Sequence, residues 1–133
     1  MTGSSDNRKE VMSEPLRVLF CIGINQNFFD LPKSEIGVVW KAFAGMLVAM
    51  EDMDGVDVLG NMDDDSHMVG PSAGWPWTCY VLADVRDQET VKAACNLFRT
   101  TEVFGNDALW KYATIEARMG RALTIRPDVN TGS

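Results

Sequence analysis

The sequence predicts an α+β fold with the element order β-α-β-β-α-β, and three observations predict it. Apolar segments of strand length stand at 17–25, 56–62 and 75–84. Two intervening stretches carry apolar residues at helical spacing, and the C-terminal part alternates polar with apolar residues. The chain has 133 residues, 46% of them hydrophobic and 23% charged, a length and balance that suit one globular domain.

The first strand, 17–25, is a near-continuous apolar run. Val18, Phe20, Ile22 and Ile24 are bulky, whereas Leu19, Cys21, Gly23 and Asn25 shrink and become polar along the other face. Such a face leaves room for something besides protein. The first helix opens after Pro32 with Ser34 as its expected N-cap, and Ile36, Val39, Trp40, Phe43, Leu47 and Met50 form its inward stripe. Asp54 and Gly55 end it. The second strand is 56–62, and the third begins around Trp75 and Pro76, where proline is tolerated. A polar loop from Asp63 to Gly74 joins them.

The second helix starts at 87–90, with acids at its positive end, and Val91, Ala94, Cys95 and Phe98 line its inner face. Residues 109–126 are rich in helix formers. Their period of two, with Tyr112, Thr114, Glu116 and Arg118 alternating with Ala113, Ile115, Ala117 and Met119, favours a closing strand. The resulting order is that of a ferredoxin-like sandwich over 17–126. Residues 1–16 read as a disordered leader and 127–133 as a disordered tail. With both helices on one face, the other sheet face stays open, and monomers rarely expose large apolar patches. Two copies pairing face to face would enclose a cavity, so the expectation is a homodimer, a dimeric α+β barrel.

Charge narrows the partners. Twelve Lys and Arg against 19 Asp and Glu give a net charge of −7. Such a chain has no means of holding a phosphate backbone, and anionic membrane surfaces are disfavoured for the same reason. Between Glu51 and Val85 lie eight acids and no Lys or Arg, a window of −8 that reads first as a solvated face. Asp63, Asp64 and Asp65 lack the alternating ligands and turn glycine of a calcium loop, so no metal is expected. Cys21, Cys79 and Cys95 form no CxxC pair. The N-terminal residues contain no apolar signal segment, and no stretch is apolar enough to span a membrane. These features lead to the expectation of a cytoplasmic location. Without a phosphate loop or dinucleotide fingerprint, no cofactor is expected.

Residues 18–29 (VLFCIGINQNFF), 36–43 (IGVVWKAF) and 109–126 (LWKYATIEARMGRALTIR) resemble the small IacB-type proteins of bacterial indole-3-acetic acid catabolic gene clusters. The resemblance spans roughly 17–126 as a whole-chain likeness without a catalytic motif. It implies a role in degrading indole-3-acetate or an oxidised indole. The last strand also resembles, more weakly, the darcynin-like barrel proteins.

Candidate site residues come from the residues alone. Asn25, Asn27, Trp75, Trp77, Tyr80 and Arg118 are the expected ligand-binding set. A flat aromatic would stack on tryptophan, and a carboxylate would take a bidentate contact from Arg118. His67, Tyr112 and Glu116 are the candidate acid-base groups of a cofactor-free enzyme acting by proton transfer, isomerisation or oxygen chemistry. Plainer readings stay open. Trp75 and Trp77 would serve equally as core or interface, Glu116 and Arg118 as a simple ion pair, Asn25 and Asn27 as turn residues, and His67 as a solvated loop residue. The strand phase, which decides between Trp77 with Cys79 and Thr78 with Tyr80, is also open. A non-catalytic binding protein for an unstable aromatic intermediate is the rival to the enzyme.

Overall fold

Four strands and two long helices carry the part of the chain that a computed structural model describes, residues 14–65, 69–70 and 77–125. The fold is α+β. Strand β1 (Leu16–Ile24) leads into a short helix α1 (Gln26–Phe29), then helix α2 (Lys33–Glu51) and strand β2 (Val56–Asp63). Strand β3 (Cys79–Val85), helix α3 (Gln88–Thr100), a 3-10 turn (Leu109–Lys111) and strand β4 (Ala113–Gly120) complete it. The strands form one sheet in the order β2-β3-β1-β4, and every neighbouring pair is antiparallel.

Val18, Phe20 and Ile22 of β1, Val81, Ala83 and Val85 of β3, and Val56 of β2 are buried in a single cluster. Phe43, Met46 and Met50 of α2 and Val91, Ala94 and Phe98 of α3 belong to the same cluster, so both helices cover one sheet face. Asp87 caps α3. Its carboxylate accepts the Thr90 backbone N–H at 2.9 Å and the Thr90 hydroxyl at 2.7 Å, satisfying a donor that the first turn leaves without a partner. Between α2 and β2 the chain turns through Gly55 at φ +88, where a Cβ would come within 2.9 Å of the Arg86 guanidinium.

Several local expectations are corrected. Helix α2 starts at Lys33 with Pro32 at the cap position, not at Ser34, and no side chain caps it. Trp40 is not core: it is 52% exposed and stacks on Phe43 at 5.4 Å, while Met46 fills the buried position. Four residues of the expected loop after β1 form helix α1. Strand β3 begins at Cys79, and Trp75 and Pro76 lie outside the described residues. The alternation at 109–126 is strand only over Ala113–Gly120, because Leu109–Lys111 make a 3-10 turn. The expected leader and tail lie outside the described residues, apart from 14–16.

Candidate functional site

The face of the sheet away from the helices is read from the strand registers. Leu19 stands opposite Leu82 on one side and Arg118 on the other, and Leu82 stands opposite Gly60. These four make one row across the sheet. The next row is Met62, Tyr80, Cys21 and Glu116. Strand β2 keeps this register through an irregularity between Val58 and Gly60, a bulge that places Met62 rather than Asn61 beside Tyr80. A shallow concavity of about 240 Å³ opens over Gly60, Asn61, Met62, Tyr80 and Leu82.

Polar groups frame these rows. At one end Arg17 and Asp84, directly opposed across β1 and β3, form an ion pair at 2.6 Å. At β4, Arg118 pairs with Glu116 at 2.8 Å, both well exposed. The Tyr80 hydroxyl donates to the Asp64 carboxylate at 2.7 Å. Cys21 is only 1% exposed between them. Burial raises its thiol pKa, the neighbouring Arg118 pulls it down, and the Glu116 charge raises it again. Burial is the largest of these effects, and the net direction is upward, towards the neutral thiol.

The candidate residues divide sharply. Tyr80, Glu116 and Arg118 share the open face. The phase of β3 is therefore the one that presents Thr78 and Tyr80, and Cys79 turns to the helix side, where burial and then the Asp63 charge push its thiol up to about 11. Tyr112 does not reach the open face. It is 3% exposed in the helix-side core, with Phe104 at 6.2 Å, because it closes the 3-10 turn before β4 begins. Asn25 and Asn27 tie the start of α1 to β4 and to the 3-10 turn before it. The Asn27 amide donates to the Lys111 carbonyl at 3.0 Å, and Asn25 accepts from the Thr114 hydroxyl at 2.9 Å. Asn25 also borders a broad hollow of about 460 Å³ beside Trp110, which is 60% exposed. Trp77 is half-buried just ahead of β3. His67 and Trp75 lie outside the described residues.

Leu82, Met62 and Gly60 were not singled out from the sequence. The alternation of Tyr80 with Val81 and Leu82 carried a signal for Leu82, and a glycine inside a strand signalled an irregularity at Gly60. Among the described residues no three His, Cys, Asp or Glu side chains converge as metal ligands. No helix among them is long and apolar enough to cross a membrane. Comparison with protein-family models, with curated proteins and with solved structures finds no match to this chain.

Proposed function

We propose that the chain is one half of a dimeric α+β barrel with ferredoxin-like subunits, whose open faces close over a small aromatic acid. The strand order supports the subunit fold, and two sheet edges of opposite charge support the pairing. Edge strand β2 and the residues after it carry Asp57, Asp63, Asp64 and Asp65, while β4 and its continuation carry Arg118 and Arg121 against one acid, Glu116. Matched edges of this kind steer two copies together and fix their register. The homodimer is the expected assembly, and no part for nucleic acid or membrane is proposed.

The observation that carries the ligand class is the row Gly60, Leu82, Leu19 and Arg118: an apolar floor that ends in a guanidinium. A planar apolar ring fits the floor, and a carboxylate fits the fork of Arg118. The resemblance of 18–29, 36–43 and 109–126 to IacB-type proteins points to an indole-type acid of indole-3-acetate catabolism. No cofactor is needed for this reading. One observation favours the non-catalytic alternative, an accessory protein that holds an unstable intermediate. Of the three candidate acid-base groups, Tyr112 is core and Glu116 is held by Arg118. Only His67 is left to serve an enzyme.

Isothermal titration calorimetry with indole-3-acetate and with neutral indole tests the reading. Arg118→Leu should weaken the acid about ten- to a hundredfold, the worth of a charge-assisted hydrogen bond, and leave indole unchanged. Glu116→Gln, which releases the guanidinium, should tighten the acid. Equal losses for both ligands, or no binding of either by the wild type, would overturn it.

A further inference from the structure

On the helix side of the sheet a second cavity, of about 210 Å³, opens between the C-terminal half of α2 and the paired ends of β2 and β3. Leu47, Met50, Val58, Cys79 and Val81 make its apolar floor, and Glu51, Asn61 and Asp63 stand at its rim. It meets the open-face concavity at Asn61, Met62 and Tyr80, but its floor belongs to the other face.

Two features give this cavity a negative potential. Its rim carries carboxylates, and from Ala42 to Val85 the sequence has no Lys or Arg. Helix α2 ends beside it with no basic residue in its last turn, so the negative end of the helix dipole meets no compensating charge on its own helix. The Cys79 thiol in its floor is pushed up to about 11, by burial first and then by Asp63. Only the Asp63 contribution to that shift has a sign, and it is the sign that attracts a cation. The nearest base in the sequence, Arg86, is committed to Asp54 at 3.0 Å.

We propose that this cavity binds a small amphipathic ammonium ion, with its hydrocarbon part on Leu47, Met50, Val58 and Val81 and its charge at Asp63 and the α2 terminus. The volume equals roughly seven waters at about 30 Å³ each, room for a single ring on a short arm. The selectivity is the reverse of that expected at Arg118, so one molecule could offer separate places to an aromatic acid and an aromatic amine.

The probe is 2-phenylethylammonium, with 2-phenylethanol and 3-phenylpropionate as neutral and anionic counterparts, titrated calorimetrically into the full chain. The ammonium ion should bind with one site per chain and weaken as salt rises. The alcohol should bind about fivefold or more weakly, and the carboxylate not at all. Asp63→Asn should bring the amine down to the affinity of the alcohol. Val48→Trp, at an exposed helix position on the rim, should block both without unfolding the chain. Arg118→Leu should leave amine binding intact, so loss of the acid site and loss of this site are read separately. Equal affinities for the amine and the alcohol, or full affinity in Val48→Trp, would overturn the proposal.

Discussion

The two faces of the sheet are made by the same strands and solve opposite problems. On the helix side, Val18, Phe20 and Ile22 alternate along β1 and disappear completely under α2 and α3. On the open side, the residues between them are Arg17, Leu19, Cys21 and Gly23, framed by the Arg17–Asp84 and Glu116–Arg118 ion pairs. One face is saturated with contacts. The other keeps a narrow apolar floor inside a charged border, a composition typical of an interface or a binding wall, whose rim is polar and whose centre is not. The two faces of β1 thus differ in what covers them: one is packed under helices, and the other is left to whatever the proposed partner or ligand supplies.

Substitutions that attack each face in turn should behave differently. Phe20→Ala, at a fully buried position, should cost about 3–5 kcal/mol in urea denaturation, a large share of the stability of a domain this size. A cost under about 1 kcal/mol would mean that the helix side is not the core. Leu82→Glu, on the open face, should leave far-UV circular dichroism unchanged and abolish self-association. Light scattering should then fall from about twice 14.7 kDa for the wild type to 14.7 kDa. A wild-type monomer at micromolar concentration would remove the second wall from the proposed site.

The smallest effect concerns the cap of α3, the helix that closes part of the covered face. The Thr90 hydroxyl, then its backbone N–H, and the Arg86 charge hold the Asp87 carboxyl below its ordinary value of 3.8. A depressed folded-state pKa stabilises above the ordinary value and is lost as pH falls through the folded one. Asp87→Asn keeps an acceptor that does not titrate. Its stability relative to wild type should therefore rise as pH falls from about 5 towards 2, in denaturation curves taken across that range. A constant difference would show that Asp87 does not titrate with folding.

Much of the fold was legible because its signals were local. The apolar run of β1, the acid-rich start of α3 and the period of two in β4 each follow from nearest-neighbour patterning. What was not legible depended on partners distant in sequence. Trp40 fits a helical stripe as well as Met46 does, and only the position of the sheet decides which one is covered. Tyr112 continues the alternation of β4 by type, but it caps the 3-10 turn that ends at Lys111, and its side chain is buried in the helix-side core. Arg118, Glu116 and Tyr80 were singled out from the sequence because all three are polar or aromatic in strand positions, and the registers place them together on one face. Leu82 and Met62 were not placed on that face because an apolar residue in a strand looks the same whether it faces the helices or the open side. The orientation of β3 needed its register against β1, which no residue in β3 announces by itself.

The bulge between Val58 and Gly60 bears on solubility. An edge strand with a regular row of free amide groups is a template to which further chains can add without end, the route to fibres. One surplus residue twists that row, and the aspartates of β2 charge it. Strand β2 therefore cannot serve as a flat, neutral template for copies of itself. The irregularity that aligns Met62 with Tyr80 thus also interrupts the one regular row of amide groups that β2 would otherwise present at the sheet edge.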